Sequence, residues 1–449
     1  MDTSEIFKAY DVRGTYPDQL DERLAEAVGS AFATFVDGPE IVMARDMRAS
    51  GVTLSEAFAR GARSVGVAVV DLGLGSTDFL YFASGYLNLP GVMFTASHNP
   101  AKYNGIKLCL AGAKPVGVES GLKEIEVLTN EFYATPATGA LAEYKTLDLT
   151  NEWVAHVHSF ADVEDFRPLR IVADTANGMG GFVVPLVFAG LPFDVEILFP
   201  ELDGNFPNHP ADPLNPANLK DLQRRVLETG ADVGLAFDGD ADRVFLVDEK
   251  AQPISGSTTT AMVASVMLKR FPGATILYNL ICSKAVPETI KEEGGVAVRT
   301  RVGHSYIKGV MAETGAVFGG EHSGHYYYRD NYRADSGIIT AFVVLELMSR
   351  ASVPLSQLAR PFQRYADSGE INTEVKDPAA TVELVRARLE AEGVAIDLLD
   401  GLTADYGDWW FNLRPSNTEP LLRLNVEAAN EDAVQERVKE VVALIKETA

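Results

Sequence analysis

Cysteine is nearly absent: Cys109 and Cys282 are the only two in 449 residues, each in an apolar neighbourhood, so reduced buried thiols are expected in preference to a disulfide. Long apolar runs are missing too. No stretch of about 18 apolar residues occurs, and the N-terminus carries Asp2 and Glu5 where an apolar leader would stand, so a cytoplasmic protein without a membrane span is the expectation. Low-complexity tracts are also lacking. Positive charge is scarce: 39 Lys and Arg face 63 Asp and Glu, a formal net charge of -24, and such a surface repels nucleic acid and anionic membrane. An anionic substrate would need positive side chains gathered at one place.

What is present is length and repetition. At roughly 150 residues per domain the chain has room for three or four domains. After a short opening segment, Ile6 to Gly14, the pattern predicts a helix over 21–36, a strand over 41–46, a helix over 51–65, a strand over 67–71 and a helix over 78–87. The apolar run Gly91-Val92-Met93-Phe94 then leads into Thr95-Ala96-Ser97-His98-Asn99-Pro100. The same order recurs twice. Strands over 171–174, 194–198 and 232–237 end in Asp238-Gly239-Asp240-Ala241-Asp242-Arg243, and strands over 275–278, 297–299 and 316–318 end in Gly320-Glu321-His322-Ser323-Gly324-His325. From about 369 the character changes: a helix over 378–392, a strand over 409–413, the loop Arg414-Pro415-Ser416-Asn417-Thr418-Glu419-Pro420, a strand over 421–426 and a helix from about 430. The fold class expected is α/β, with three tandem α/β units of mixed sheets (1–150, 151–255 and 256–367) and a small C-terminal α+β unit (368–449). Loops at strand ends can face a shared central cleft.

Each loop carries its own chemistry. Ser97 at a strand end could carry a phosphoryl group or act as a nucleophile, or could simply close a turn with His98 and Asn99. A Ser-His hydrolase pair is disfavoured, because adjacent side chains usually diverge and no Gly-x-Ser-x-Gly elbow is present. Asp238, Asp240 and Asp242 alternate with small residues, so three hard oxygens can converge as Mg²⁺ requires; a solvated acidic turn is the plain alternative. A calcium hand fails, because Arg243 holds the position where that loop needs glycine, and Val244-Phe245-Leu246-Val247 reads as a strand. In the third loop Glu321 and Ser323 can accept from and donate to vicinal hydroxyls, or only to their own loop. Arg414, Ser416, Asn417 and Thr418 offer a fork, two hydroxyls and an amide suited to phosphate, unless they only make a turn. Arg13, Lys107, Arg243, Lys284 and Arg414 would supply the local positive field.

Taken together, Thr-Ala-Ser-His-Asn-Pro, Asp-Gly-Asp-x-Asp-Arg, Gly-Glu-x-Ser-Gly-His and Arg-Pro-Ser-Asn-Thr-Glu-Pro resemble the four loops of the α-D-phosphohexomutase family, in its phosphomannomutase/phosphoglucomutase branch, over essentially the whole chain. The resemblance implies that Ser97 is the phosphoserine and, with Asp238, Asp240 and Asp242, binds Mg²⁺; that Glu321 and Ser323, beside His325, hold sugar hydroxyls; and that Arg414, Ser416, Asn417 and Thr418 clamp the nonreacting phosphate. It extends to Tyr10, Arg13, Lys107, Arg243, Lys284 and His304 as substrate or phosphoryl contacts, with His98 beside the serine, and Lys107 and His304 also weighed for proton transfer. It implies a hexose phosphate substrate, mannose first and glucose next, a hexose 1,6-bisphosphate activator, and a monomer or dimer. Ala241 departs from the glycine of many relatives, which is harmless if φ there is negative. His322 is not the glutamine of glucosamine-type relatives, which argues against a hexosamine. A metal-dependent phosphatase would not need separate clamp and sugar loops, and a silent sugar-phosphate sensor would tolerate loss of Ser97 or an aspartate, none of which is missing.

Overall fold

The apolar runs assigned to strands form strands, and each unit gathers its own into one sheet. The computed structural model describes residues 3–36, 38–415 and 421–448. In the first sheet the strand order is Val12–Thr15, Tyr103–Leu110, Gly91–Phe94, Glu40–Arg45, Ala68–Leu74, Tyr144–Thr146. The second runs Pro253–Ile254, Val244–Asp248, Val233–Phe237, Leu169–Asp174, Phe193–Leu198, and the third Val296–Thr300, Thr275–Asn279, Phe318–Gly320, Tyr326–Tyr328. The C-terminal sheet is antiparallel, in the order Ala366–Glu374, Leu421–Ala428, Trp410–Pro415, Leu402–Asp405, Ala395–Asp397.

The sheets are mixed for one shared reason. In each of the first three units the strand before the polar loop runs parallel to its inner neighbour, and the strand after the loop returns antiparallel: Phe94 pairs Ile106, Phe237 pairs Val244, and Gly320 pairs Tyr326. In the fourth unit Pro415 pairs Leu422 across its own loop. The first three polar loops are therefore hairpin tips, tethered at both ends by ladder hydrogen bonds.

Sequence periodicity passes over several elements, among them the return strand Tyr103–Leu110 and the helices Gly256–Arg270 and Gly337–Ala351. In each of those two helices 12 of 15 residues are buried, so they present no amphipathic stripe to read. They lie in a core that runs without a break from the second unit into the third, through Met179, Leu235, Val263, Ile339 and Phe342. The fourth unit has a separate core around Val385, Phe411, Leu424 and Ile445. It meets the third where Trp410 packs on Leu280 and Ile281, flanked by the ion pairs Lys284–Asp405 at 2.7 Å and Arg299–Asp397 at 2.6 Å. Partly exposed pairs of this kind contribute about 0–1 kcal/mol each, against about 1.5–3 kcal/mol for a buried large apolar side chain. The tryptophan contact is the stronger attachment, and it is small. Among the described residues no single helix is long and apolar enough to cross a membrane.

The connection from 199 to 215 is held down side chain by side chain. His209 Nε2 lies 3.1 Å from Asp174 Oδ2 at the end of Leu169–Asp174, Asn208 donates to Asn177 at 2.8 Å, and Phe206 lies under the Arg48 guanidinium at 5.2 Å. Gly204 is required there, because a Cβ would stand 2.9 Å from Arg48 Cα. Burial works to lower the His209 pKa, but the hydrogen bond and charge of Asp174 outweigh it and raise the pKa above the ordinary 6.5. A folded value above the unfolded one means that this stabilisation is complete below the unfolded pKa and is lost as pH rises through the folded one. Amides of 199–215 are expected to lose hydrogen-exchange protection over that rise, after correction for intrinsic base catalysis; protection that stays flat would refute the coupling.

Candidate active site

The first loop presents Ser97 from a strand whose four residues are all buried. Ser97 adopts φ +48, is 5% exposed, and donates its backbone N–H to Thr95 Oγ1 at 2.9 Å. Its conformation is imposed from behind by Arg48, which no motif marks. The Arg48 guanidinium donates to the carbonyls of Ser97 at 2.8 Å, Asn99 at 2.7 Å, Pro100 at 3.1 Å and Tyr103 at 2.9 Å, while Asp46 pairs with its Nε at 3.3 Å. Gripped at four carbonyls, the loop holds a backbone that a serine seldom adopts. Arg13 joins from the opening segment, donating to Asn99 Oδ1 at 2.7 Å and Asp11 Oδ2 at 3.1 Å.

One expectation is overturned here. Ser97 Oγ and His98 Nδ1 do not diverge but lie 3.2 Å apart, because the left-handed turn at Ser97 brings the two side chains to one side. The pair still lacks the character of a hydrolase dyad. Burial and the adjacent Arg243 and Arg13 keep the His98 pKa well below its usual value, and Arg243 donates to Nδ1 at 2.6 Å, so the lone pair facing the serine is already engaged.

Asp238, Asp240 and Asp242 follow the wholly buried strand Val233–Phe237, and their nearest carboxylate oxygens lie within 4.8 Å of one another. Ser97 Oγ donates to Asp238 Oδ2 at 2.8 Å. The serine and aspartate loops also touch through backbone: a Cβ on Gly239 would meet the Ser97 carbonyl oxygen at 2.4 Å, so only glycine fits between the first two aspartates. Three cations or donors compensate the carboxylates. Lys107 Nζ bridges Asp240 at 2.8 Å and Asp242 at 2.9 Å, Arg243 Nε holds Asp238 at 2.9 Å, and Thr77 Oγ1 donates to Asp240 at 2.5 Å.

Burial, only partly offset by Arg243, pushes the Asp238 carboxyl up to about 7. Burial would raise Asp240 as well, but Lys107 overrides it and holds that group below the usual carboxylate range. Burial lowers the Lys107 pKa in turn, and the two aspartates more than reverse this, so the side chain stays an ammonium ion. Asp240 Oδ1 and Asp242 Oδ1 are buried without a hydrogen-bond partner among the described residues. Unpartnered carboxylate oxygens beside a third carboxylate and a serine oxygen form a donor set that fits a hard divalent cation.

Ala241 corrects a second expectation. Its φ is +59, not negative, and it is 1% exposed. The turn that curls the aspartates together needs the left-handed region, and alanine accepts a cost of about 1–2 kcal/mol there. Since glycine gives back only about 0.4–1 kcal/mol through the unfolded chain, Ala241→Gly is expected to stabilise the protein by up to about 1 kcal/mol. A thermal unfolding midpoint that falls would count against a strained alanine.

In the third loop Glu321 accepts from Tyr327 Oη at 2.7 Å, Asn279 Nδ2 at 3.1 Å and the Gly303 N–H at 3.2 Å, which fixes its carboxylate. Ser323, half-buried, follows at the same tip. His325 Nδ1 lies 2.8 Å from Asp335 Oδ2 and 3.9 Å from Asp242 Oδ1, so this tip adjoins the aspartate loop. Asp335 is held in turn by buried Lys308 at 3.2 Å, whose ammonium lies 3.7 Å from the centre of the Tyr81 ring in the first unit. His304 is buried, with Nδ1 unpartnered among the described residues, and burial together with Lys308 keeps it neutral, its pKa well below the usual value. Tyr10 packs edge-on against it at 5.0 Å and donates to the Val302 carbonyl at 3.3 Å.

Arg414, next to last in its strand, is 8% exposed and donates to Glu370 Oε2 at 2.8 Å. It faces the third loop: burial and the Arg414 charge push His322 down to about 3. Ser416, Asn417 and Thr418 lie outside the described residues. Lys284 is not gathered with the other cations. Its ammonium pairs with Asp405 at 2.7 Å and donates to the Gly407 carbonyl at 2.9 Å, captured by the acidic edge of the C-terminal sheet.

Comparison with known proteins covers the whole chain. Profiles described as phosphoglucomutase/phosphomannomutase alpha/beta/alpha domains I, II and III match residues 4–135, 151–252 and 255–365, and the C-terminal domain profile of the same family matches 370–444. A protein of Xanthomonas campestris pv. campestris described as "Phosphohexose mutases" is 39% identical over 99% of this chain and 100% of its own length. The "Phosphomannomutase" of Escherichia coli strain K12 is 37% identical over 98% of this chain and 99% of its own. A crystal structure of a phosphoglucomutase/phosphomannomutase family protein from Burkholderia thailandensis superimposes with TM-score 0.90 at 32% identity, covering 100% of this chain and 98% of that one.

Proposed function

Since the chain belongs to the phosphoglucomutase/phosphomannomutase family, we propose that it is a phosphomannomutase, an isomerase interconverting mannose 1-phosphate and mannose 6-phosphate, with glucose phosphates as further substrates. The observation that carries the reading is Ser97 Oγ at 2.8 Å from Asp238, within a three-carboxylate cluster and backed by Arg243. A phosphoryl group on that oxygen would sit beside the carboxylate donor set and Arg243, where its charge is offset.

The cycle uses each loop once per half-reaction. The Ser97 O–P bond breaks as a sugar hydroxyl forms a new O–P bond, giving the hexose 1,6-bisphosphate; after the sugar turns round, the other phosphoryl group returns to Ser97. When bound, Mg²⁺ at Asp238, Asp240, Asp242 and the serine phosphate supplies charge neutralisation of the moving phosphoryl group. Glu321 and Ser323 hold the sugar hydroxyls, with Tyr10 and Arg13 at the edge of the same cleft. Arg414 holds the phosphate that is not reacting. The unpartnered Nδ1 of His304 leaves a lone pair that can take the proton of the attacking hydroxyl, as a weak base because burial and Lys308 disfavour its charged form, whereas Lys107, kept as an ammonium, can only donate a proton or offset charge. The small Trp410 attachment leaves the fourth unit free to close on the substrate and exclude water, which would otherwise hydrolyse the phosphoserine. Trace hexose 1,6-bisphosphate restores the phosphoserine whenever it is lost.

Phosphorus NMR of mannose 1-phosphate with Mg²⁺ and catalytic bisphosphate tests this. The 6-phosphate should appear. Release of inorganic phosphate alone would make the protein a phosphatase, and faster conversion of glucose 1-phosphate would make glucose the main substrate.

A further inference from the structure

The peptide group between Val302 and Gly303 lies where the first, third and fourth units meet. Its carbonyl accepts from Tyr10 Oη of the first unit at 3.3 Å, and its N–H donates to Glu321 Oε1 of the third at 3.2 Å. The preceding N–H, on Val302, donates to Asp400 Oδ2 of the fourth unit, also at 3.2 Å. A peptide group is rigid and planar, so a rotation that moves its carbonyl moves its N–H as well. A donor on the carbonyl also polarises the group and strengthens the N–H on the far side. Only glycine can stand at 303, where φ is +124 and a Cβ would lie 2.3 Å from Tyr10 Oη. On the other side, Asp400 belongs to the frame of the phosphate loop. Asn412 Nδ2 donates to the Asp400 carbonyl at 3.0 Å, and Gly401, at φ +69, is so close to Arg414 that a Cβ would stand 2.7 Å from the arginine's own. Asp400 and Arg414 therefore move as one body.

We propose that Asp400 is a positioning residue, acting through the 302–303 peptide to aim the Glu321 carboxylate when the fourth unit is in place. The inference rests on the reading of Glu321 as the carboxylate that holds sugar hydroxyls. Tyr327 and Asn279 hold that carboxylate from within its own unit, wherever the fourth unit stands. Of its three donors among the described residues, only the Gly303 N–H is aimed by contacts from outside that unit. Sugar and phosphate are thereby gripped and released in step. The bisphosphate must leave both grips before it can turn, and one that outlasted the other would keep it in a single orientation.

The test is a cycle on the full chain between Asp400→Ala and a missing sugar hydroxyl. The ring hydroxyls of mannose 1-phosphate stand at C2, C3 and C4, so any vicinal pair held by Glu321 includes that on C3, and 3-deoxymannose 1-phosphate is the probe. In the parent, removing this hydroxyl should lower kcat/KM by about tenfold or more, as loss of a hydrogen bond to a charged group does. In Asp400→Ala, kcat/KM for mannose 1-phosphate should fall about tenfold, and the further penalty for the deoxy sugar should shrink to about threefold or less, because the grip it reports is already slack. Asp400→Asn keeps an acceptor oxygen for the Val302 N–H and should stay within about threefold of the parent. If Asp400 merely braced the fourth unit, the two losses would multiply. Multiplying losses, a parent-like Asp400→Ala, or an Asp400→Asn as slow as the alanine variant each overturns the proposal. A parent that takes the deoxy sugar as readily as mannose 1-phosphate overturns the reading of Glu321 beneath it instead. Asp400 is half-buried, and Asn412 holds its carbonyl rather than its side chain, so the alanine variant should fold.

Discussion

A Ser97→Ala enzyme is expected to convert mannose 1-phosphate at least about 10⁴-fold more slowly than the parent, with no rescue by added hexose 1,6-bisphosphate. The size of the loss follows from the neighbours. Thr95 Oγ1 is spent on the Ser97 N–H, and His98 Nδ1 is taken by Arg243, so neither side chain stands ready to carry the phosphoryl group in place of serine. Threonine is no substitute either, since a β-branched residue at φ +48 is strained. The alanine variant should fold normally, because Arg48 grips backbone carbonyls that the substitution leaves in place. A residual rate within about tenfold of the parent would mean that the phosphoryl group does not pass through Ser97 and would overturn its role as carrier.

Lys107→Met should produce the second large effect, and on stability as much as on rate. Asp238, Asp240 and Asp242 are 0%, 0% and 1% exposed, and the Lys107 ammonium is shared by two of them. Removing one partner of a buried charge network costs about 3–5 kcal/mol, because the carboxylates left behind are neither solvated nor paired. Metal-free Lys107→Met should therefore melt well below the metal-free parent. A divalent cation binding the folded aspartates alone would recover much of this, so Mg²⁺ should raise the melting midpoint of the variant further than that of the parent. Chelation should stop turnover of the parent without unfolding it. Equal Mg²⁺ shifts in the two proteins would show that the aspartates are not the metal's ligands.

Much of this site can be read from the chain before any fold is known, and the reason is local. Ser97 and the three aspartates lie in hairpin tips where the residues needed are next to one another in sequence, so their alternation with Gly239 and Ala241 is visible at once. The groups that hold those tips are not visible. Arg48 acts on carbonyls about 50 positions away, Thr77 reaches Asp240 from another unit, and Lys308 with Asp335 supports His325 from outside its loop; none belongs to a motif. Charge alone also misleads. Lys284 reads as one more cation for an anionic substrate, yet it is consumed by Asp405, because a chain of net charge -24 has many acidic takers for each lysine. At Ala241 the residue type suggests negative φ, and the demand of three converging carboxylates prevails. For the fold, the strands with apolar runs are legible, whereas the return strand Tyr103–Leu110 is not, and Gly256–Arg270 and Gly337–Ala351 are hidden because burial on nearly every side leaves them no apolar stripe to read.

The Arg48 grip also determines who can switch the enzyme on. A signalling kinase reads its target serine in an extended segment drawn into its own groove. Ser97 would have to leave a left-handed turn, with 5% of its surface exposed, and give up four backbone contacts to one guanidinium, each worth about 1.5–3 kcal/mol. Such a segment is not drawn out while the fold is intact, so, if Ser97 is the phosphoserine proposed above, its phosphate would have to arrive on a molecule small enough to reach it in place. On that reading the fraction of working enzyme in a cell would follow the supply of a sugar bisphosphate, a metabolic gauge that phosphorylation cascades would not reset.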